Sequence, residues 1–298
     1  SMPYQLLYLF TVLIWGSTWL AITFQLGIVD AIWSVAYRFA LAAAVLMVFC
    51  LVTRRPLRFG LRDHGFMALQ GTFLFSLNYI LFYFSIEHVT SGLIAVIFST
   101  LVFMNIVNGA MLLGIPIRAR VLAAASLGLL GITLVFWPEF RAFSASSATI
   151  VGVSLAVVAT WFASLGNMAS LRNQRAGLGV IETNTFGMAY GAVLTIIVAL
   201  VVGVEFRFDW SLSYVGSLAY LSVIGSVIAF GCYLSLLGRI GADRAAYAGV
   251  MFPIVALVLS TLFEGYTWSG LAFIGVIMVL AGNLLVLTRS KQSDTPAG

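Results

Sequence analysis

The chain contains ten apolar runs, each about as long as a membrane-crossing helix, separated by short connections. An α-helix needs roughly 20 predominantly apolar residues to cross the hydrocarbon core of a bilayer. Only 8% of the 298 residues are charged, whereas a soluble domain carries about 25%. These features predict an all-α, polytopic membrane protein without a soluble domain. The predicted runs are 4–24, 32–52, 65–86, 92–112, 119–136, 149–170, 181–203, 213–237, 244–263 and 269–288.

Basic residues are concentrated in alternate connections of the chain. The other connections hold only Arg141 and Arg207. Cytoplasmic loops are enriched in lysine and arginine, so this alternation predicts that both termini are cytoplasmic. The basic residues that follow the even-numbered runs are Arg54, Arg55, Arg58, Arg62, Arg118, Arg120, Arg172, Arg175, Arg239, Arg244, Arg289 and Lys291.

The second half of the chain repeats the first. Residues 95–114 align with 246–265, and other short segments align in the same way. Chance similarity between apolar helices is the alternative explanation. Each half holds five runs, an odd number, so the second half must enter the membrane from the opposite side. Secondary transporters with such inverted repeats bind their substrate near the midplane, between the repeats. The predicted units are a first repeat at 4–143, a second repeat at 144–288 and a cytoplasmic tail at 289–298.

Aromatic and polar side chains near the middle of several runs form candidate substrate-binding faces. In the first run, Trp15, Thr18 and Trp19 share one helix face. Membrane helices usually keep tryptophan at the two water interfaces instead. Polar groups that face lipid are costly, so these faces should point into the bundle. The predicted substrate-binding residues are Trp15, Thr18, Trp19, Asn78, Tyr79, Phe82, Ser99, Thr100, Trp161, Ser164, Tyr233, Tyr247 and Met251.

These residues describe a chamber with aromatic and methionine walls, several hydroxyl groups and one amide. Aromatic rings prefer stacked or edge-to-face contacts, so such walls suit a flat apolar ligand. The neutral polar groups could hold a small polar head by hydrogen bonds. Serine and threonine also mediate ordinary helix packing in membranes. For Ser99, Ser164, Ser222 and Ser226 taken singly, helix packing explains the residue as well as ligand contact does.

Arg38 and Pro253 are unusual residues for the interior of an apolar run. Arg38 lies about two turns inside the second run, from which its side chain could reach the outer interface. Alternatively, its guanidinium could pair with backbone carbonyls or with a substrate carboxylate. Pro253 lies in the middle of the ninth run and removes a backbone hydrogen bond. We therefore predict that Pro253 is a hinge.

The acidic residues and histidines fall in connections, at the ends of runs or in the tail. Carboxylates inside a membrane usually serve proton relays or cation sites, and the middle of these runs contains none. Lys291 is the only lysine, so a phosphate-binding P-loop is excluded. An enzyme is therefore not expected, and no catalytic residue, cofactor or metal site is predicted. The net charge of +5 reflects the arginines of the connections and does not indicate nucleic-acid binding.

The sequence resembles the drug/metabolite transporter superfamily, in its ten-helix form with two EamA-like repeats. The resemblance covers roughly 4–288. Within that superfamily, the chain is most similar to bacterial inner-membrane exporters of aromatic amino acids. The residues that carry the resemblance are Trp15-Gly16-Ser17-Thr18, Arg38-Phe39, Pro253, Glu264-Gly265 and Gly282.

The resemblance implies export of phenylalanine, tyrosine, tryptophan and methionine through a central cavity by alternating access. The expected partners are the amino-acid substrate and the lipid bilayer, with no nucleic acid, and we expect a monomer. Two other functions stay open. One is efflux of other small metabolites or of lipophilic drugs and cations, and the other is a membrane scaffold or receptor subunit without transport.

The energetics follow from the distribution of titratable groups. Coupling to proton flow needs a group that changes protonation during the transport cycle, and the predicted chamber has no carboxylate or histidine. We therefore predict facilitated diffusion driven by the cytoplasmic concentration of the amino acid. The alternative is coupling through Glu87, His88 or Glu264 at the ends of runs.

Overall fold

The computed structural model describes residues 2–143, 146–263, 265 and 267–288, without the side chain of Trp19. Throughout this part of the chain the regular structure is helical, and it contains no β-strand. The predicted tail at 289–298 and Glu264 lie outside the described residues.

Ten long helices, numbered here in chain order, correspond one to one with the ten predicted runs. Over the described residues, nine are long and apolar enough to cross a membrane, whereas α5 is shorter, with 17 residues. The prediction of an all-helical polytopic protein is confirmed. The helices are α1 Tyr4–Thr23, α2 Ala31–Val52, α3 Leu61–Ile86, α4 Ser91–Leu113, α5 Ala119–Val135, α6 Ser147–Arg175, α7 Val180–Val202, α8 Leu212–Ile240, α9 Ala242–Phe263 and α10 Gly270–Leu287, with a short helix Trp137–Arg141 after α5.

The even-numbered helices begin with side-chain caps. A capping oxygen accepts a hydrogen bond from one of the first backbone N–H groups, which otherwise lack partners inside the helix. At the start of α2, for example, Asp30 Oδ1 accepts from the Ile32 amide at 2.9 Å. The capping residues are Asp30, Thr90, Ser146, Ser211 and Ser269.

The arginine-rich connections meet at one end of the bundle, which we call the basic end. Ion pairs there join the exits of α2, α4 and α6 to the starts of other helices. Which side of a membrane this end faces stays a prediction from its charge. These ion pairs are Arg55–Glu182, Arg118–Asp243 and Arg172–Asp63.

Helices α2 and α7 occupy the same position in the two halves, and they pack against each other antiparallel. Near the start of α2, Trp33 Nε1 donates to the Val204 carbonyl just beyond the end of α7, at 3.2 Å. Near the end of α2, Cys50 Sγ lies 3.5 Å from Thr185 Oγ1 in the second turn of α7. Two equivalent helices that run in opposite directions are what inverted repeats require.

Helices α5 and α10 form a second equivalent pair with the same relationship. Arg120, at the start of α5, donates to the Leu285 carbonyl near the end of α10 at 2.9 Å. In the middle, Gly131 and Gly275 bring the two backbones into close contact, since a Cβ built on Gly131 would lie 2.6 Å from the Gly275 carbonyl oxygen. Small residues allow this close approach of membrane helices.

Several other helix contacts also come in matched pairs when each helix is exchanged for its equivalent five places away. Helix α3 packs on α6 as α8 packs on α1, and α4 packs on α6 as α9 packs on α1. Helix α3 contacts α7 as α8 contacts α2. The bundle is thus two five-helix halves of opposite direction. The division between residues 143 and 144 stays a prediction, because 144–145 lie outside the described part.

Four helices are irregular, and they are two equivalent pairs. Helix α3 contains a π-helical segment at Phe73–Leu77, and α8 contains one at Tyr220–Ile228. Helix α4 is interrupted at Ser99 and Thr100, and α9 at Tyr247. Single π-helical segments within α-helices are frequent at functional sites. All four helices contribute to the cavity described next.

Candidate functional site

A cavity of about 160 Å³ lies between seven of the ten helices, namely α1, α2, α3, α4, α6, α8 and α9. Eight of its lining residues are aromatic, and most of the others are aliphatic. For scale, an apolar protein cavity of about 150 Å³ binds benzene. The volume and the walls therefore suit a ligand with one flat apolar group.

Trp15, Phe230 and Tyr233 form one aromatic wall. The Trp15 ring centroid lies 5.0 Å from that of Phe230 and 4.9 Å from that of Tyr233, in edge and tilted arrangements. Such geometries are favoured by the quadrupoles of the rings. The Trp15 Nε1–H donates to the Gly225 carbonyl in the π-helical segment of α8, at 3.4 Å. This carbonyl explains how a tryptophan is accommodated far from the water interface.

Two amides supply polar atoms to the cavity. Asn78 Nδ2 donates to the Leu74 carbonyl at 3.3 Å, and Asn167 Nδ2 donates to the Tyr233 hydroxyl at 2.8 Å. The Oδ1 atoms of both amides are buried and receive no hydrogen bond from the described residues. A buried acceptor without a donor is costly. The two oxygens are therefore candidate contacts for an N–H group of a ligand.

Arg38 lies in the cavity wall, so the prediction that it reaches the outer interface is wrong. Its side chain is buried because the π-helical segment of α8 supplies acceptors inside the bundle. Arg38 Nε donates to Ser226 Oγ at 2.7 Å, and Nη2 donates to the Gly225 carbonyl at 3.0 Å. The guanidinium also lies 5.0 Å from the Tyr79 ring centroid, within the range of cation–π attraction.

Toward the basic end, the cavity is closed by hydrogen bonds between helices. Its lining stops at the Asn167–Tyr233 bond. Beyond it, Asn105 Nδ2 donates to the Ala242 carbonyl at 2.8 Å, which ties α4 to α9. In the other direction the lining continues to the ends of α1 and α3 and the start of α4. The lining residues there are Ile22, Ile86 and Ile94.

Six of the predicted substrate-binding residues line this cavity, and six others lie outside its lining. The side chain of Trp19 is outside the described part of the chain. That the lining residues bind substrate stays a prediction. The residues in the lining are Trp15, Thr18, Asn78, Tyr79, Phe82 and Tyr233, and those outside it are Ser99, Thr100, Trp161, Ser164, Tyr247 and Met251.

Helix α6 presents a different face to the cavity from the one expected. Trp161 is 36% exposed on the outside of the bundle, where lipid would contact it. Ser164 is buried against α4, and its Oγ accepts from Asn108 Nδ2 at 2.8 Å. Ala163 and Asn167 line the cavity instead. This corrects the expectation that the face with Trp161 and Ser164 points into the chamber.

The other residues outside the lining are occupied by helix packing. The Ser99 and Thr100 hydroxyls each donate to a carbonyl three residues earlier, at 2.6 Å, where α4 is interrupted. The Tyr247 hydroxyl donates to the Val279 carbonyl at 2.8 Å, so its ring lies at the α5–α10 contact. Met251 packs on the hydrophobic core. In this structure none of the four is part of the cavity lining, and that they bind substrate stays a prediction.

The sequence interpretation missed several lining residues. Tyr83, Phe98, Phe230 and Phe252 are four of the many aromatic residues in the runs, and their number gives no sign of which ones meet. Asn167, near the end of the sixth run, did carry a signal, because an amide inside a membrane helix needs polar partners and therefore tends to face the interior of the bundle.

Pro253 lies within α9, beside the lining residue Phe252, and is itself outside the lining. Because proline has no N–H, the Gly249 carbonyl lacks its usual helical partner, which makes bending easier. We expect Pro253→Ala to lower the maximum rate of transport roughly threefold or more, with little change in apparent affinity. Conformational steps often limit the turnover of enzymes, and we expect the same of a transport cycle. Initial rates measured over a range of substrate concentrations separate the two parameters. A large loss of affinity at an unchanged rate would contradict the hinge.

Comparison with known proteins adds independent information. The sequence profile of the EamA-like transporter family matches the chain twice, over residues 2–137 and 150–288. A protein named PagO from Salmonella typhimurium is 21% identical over 98% of this chain and 95% of its own length. A probable amino-acid metabolite efflux pump from Escherichia coli K12 is 21% identical, covering 92% of this chain and 91% of its own.

Two further similarities concern membrane location and fold. An uncharacterized inner membrane transporter, YedA from Escherichia coli K12, is 26% identical over 92% of this chain and 87% of its own length. One protein of known crystal structure aligns with a TM-score of 0.75 at 18% identity, covering 95% of this chain and 96% of its own. The second similarity supports the fold alone.

Proposed function

Because the chain belongs to the EamA-like transporter family, we propose that it exports neutral amino acids with aromatic or large apolar side chains from the cytoplasm. Phenylalanine, tyrosine, tryptophan and methionine are the proposed substrates. The chain is a multi-pass membrane transporter, and its relative YedA is named as a transporter of the inner membrane. The inner membrane is accordingly its location, and alternating access through the central cavity is the proposed mechanism.

The single observation that supports this substrate class best is the composition of the cavity. Its aromatic walls offer stacking and edge contacts to a flat side chain. Thr18, Asn78 and Asn167 add neutral polar groups that can bind the backbone atoms of an amino acid. The name of the Escherichia coli relative, a probable amino-acid metabolite efflux pump, agrees with this proposal.

The two alternatives are less well supported. Efflux of lipophilic cations would favour a carboxylate in the cavity, whereas the charged group in the described lining is Arg38, which repels cations. A scaffold or receptor subunit has no need for a cavity bounded by buried, unpaired amide oxygens. Amino-acid export accounts for both features.

Transport of phenylalanine in proteoliposomes tests the proposal. Purified protein should catalyse flux of labelled phenylalanine well above that of protein-free liposomes, while a labelled quaternary ammonium cation should not be transported. Flux of the cation without flux of phenylalanine would favour drug efflux. Flux of neither, in protein shown to be folded, would favour a role without transport.

The proposed driving force is the substrate gradient itself. The described lining residues include no carboxylate and no histidine, the groups that usually carry protons in membranes. A zwitterionic substrate also moves no net charge. We expect phenylalanine flux to follow its own gradient and to be insensitive to an imposed pH gradient or membrane potential. Uphill accumulation powered by a pH gradient alone would contradict facilitated diffusion.

A further inference from the structure

The positive charge of Arg38 has no acidic partner among the described residues. The four ion pairs of this part of the chain involve other arginines. Arg38 is nevertheless only 3% exposed, and its acceptors, Ser226 and the Gly225 carbonyl, are neutral. A buried charge is costly unless an opposite charge neutralises it. The charge balance of the cavity is therefore incomplete without a ligand.

The guanidinium is arranged so that it can accept an anion. Its two hydrogen bonds to α8 use Nε and Nη2, and Nη1 has no described acceptor. The Tyr79 and Phe39 rings lie 5.0 and 5.4 Å from its central carbon. Since neighbours on several sides hold the group, little side-chain entropy remains to be lost when an anion binds.

Whereas Arg38 lacks an anionic acceptor, two other polar groups of the same cavity lack a hydrogen-bond donor. Asn78 and Asn167 are 7% and 1% exposed, and the Oδ1 atom of each lacks a donor among the described residues. The cavity thus contains one fixed positive charge and two neutral acceptors, surrounded by aromatic rings. A ligand that satisfies all of them has an anionic group, an N–H donor and an apolar body.

We propose that Arg38 binds the carboxylate of the transported molecule, and that this carboxylate is the group a ligand must have. The inference rests on the proposed function and deepens it. A carboxylate matches the fork of a guanidinium, and a charge-assisted hydrogen bond is about twice as strong as a neutral one. An ammonium group, by contrast, meets only amide oxygens and rings. Loss of the carboxylate should therefore weaken binding more than loss of the ammonium.

The substrate class follows from this asymmetry. It comprises apolar monocarboxylates, of which neutral aromatic amino acids are one group and arylalkanoic acids another. 3-Phenylpropionate, which lacks only the ammonium group of phenylalanine, should be a ligand. Phenethylamine, which lacks only the carboxylate, should not. A phosphate ester is disfavoured because it would bring more charge than one guanidinium can neutralise.

Competition against labelled phenylalanine, bound to the purified wild-type protein, tests this ranking directly. We expect 3-phenylpropionate to compete within roughly tenfold of unlabelled phenylalanine. Phenethylamine and phenylalanine amide should compete roughly 100-fold more weakly, as expected when one partner of a buried charge pair is removed. Equal competition by phenethylamine and 3-phenylpropionate would overturn the proposal.

Variants of Arg38 test the residue itself. Arg38→Met should weaken binding of both phenylalanine and 3-phenylpropionate roughly 100-fold and abolish the preference for 3-phenylpropionate over phenethylamine. Arg38→Lys keeps the charge without the planar fork, so its affinity for both ligands should lie between those of the wild-type protein and Arg38→Met. Arg207→Met is the matched control, because Arg207 forms an exposed ion pair with Glu205 outside the cavity. Unchanged binding by folded Arg38→Met would overturn the assignment.

The outcomes also separate this inference from the proposed function. Arg38-dependent binding of 3-phenylpropionate, in a protein that does not transport phenylalanine, would support the carboxylate site and contradict amino-acid export. Transport of phenylalanine that phenethylamine inhibits as well as 3-phenylpropionate does would support export and contradict the carboxylate site. If Arg38→Met does not fold, the competition series with wild-type protein still decides the question.

Discussion

Replacing Tyr79 by alanine should lower the ratio of maximum rate to apparent KM for phenylalanine roughly 30-fold. Tyr79 lines the cavity, and its ring lies 5.0 Å from the Phe39 ring centroid and 5.0 Å from the Arg38 guanidinium carbon. Its removal takes away a wall for the substrate ring and loosens Arg38. Loss of a central aromatic contact of this kind costs about 2 kcal/mol, which corresponds to the expected change. Initial rates in proteoliposomes measure it.

Trp161→Ala is the matched control for this variant. It also removes an aromatic side chain from a membrane helix, but Trp161 is exposed on the outside of the bundle and does not line the cavity. We expect transport by Trp161→Ala to stay within roughly twofold of wild type, in the range of surface substitutions. Similar losses in both variants would indicate a general effect on the protein and would contradict the assigned cavity.

The second large effect is expected for the stability of the α5–α10 contact. A Cβ added at Gly131 would lie 2.6 Å from the Gly275 carbonyl oxygen and 2.8 Å from Val279 Cγ2. Both neighbours belong to the facing helix, and a backbone carbonyl cannot rotate away. We expect Gly131→Ala to reduce the free energy of unfolding by about 3 kcal/mol, the upper part of the range for overpacking. Thermal unfolding in detergent should show a clear loss.

Gly231→Ala provides the control with the same chemical change. Gly231 also lies inside a helix, α8, but a Cβ built on it meets nothing within 4 Å. Alanine is favoured over glycine in a helix interior by about 1 kcal/mol. We therefore expect this variant to unfold at the same temperature as wild type or slightly higher. Equal destabilisation of the two variants would show that a methyl group added at either helical glycine is harmful in itself, and would contradict a specific role of the α5–α10 contact.

The fold could be predicted from sequence because a single property, apolar length, defines each membrane helix. Each of the ten predicted runs corresponds to a helix. The ends were less certain, as for α6, predicted at 149–170 and observed at Ser147–Arg175. Its last turns contain arginine, asparagine and glutamine, so hydropathy does not detect them although the helical hydrogen bonds continue. The length of an apolar run reflects the thickness of the hydrocarbon core, whereas the helix itself can extend beyond the membrane.

The cavity was only partly predictable, because its lining depends on the rotation of each helix about its axis. In α3 the predicted face with Asn78, Tyr79 and Phe82 does line the cavity. In α6 the large Trp161 suggested the wrong face, because an aromatic ring can face lipid as readily as a ligand. The rotation is determined by neighbours, such as the Asn108–Ser164 hydrogen bond, that no single run contains.

The position of Arg38 also depended on a neighbouring helix and could not be predicted from its own run. Its sequence position left an outer interface, backbone carbonyls and a substrate carboxylate as alternatives. The choice among them depended on the π-helical segment of α8, far away in sequence, which presents Ser226 and the Gly225 carbonyl to the guanidinium. A π-helical turn holds an extra residue, so the residues that follow it point to different faces of the helix from those expected for a regular α-helix. The residues of α8 themselves do not show that such a segment is present.

The matched contacts between the two halves allow a second conformation of the same molecule to be derived by exchanging the two halves. If each half adopted the conformation of the other, the cavity would extend to the basic end and close at the opposite one. The two seals would differ in chemistry. Asn105 closes the basic end by donating to the Ala242 carbonyl, and it aligns with Ala256 in the second half. After the exchange, the closed end would therefore lack an equivalent side-chain hydrogen bond. If the basic end faces the cytoplasm, as its charge predicts, the conformation described here is the one closed toward the cytoplasm, and the contact between Asn105 and the Ala242 carbonyl must break before a substrate can enter from that side.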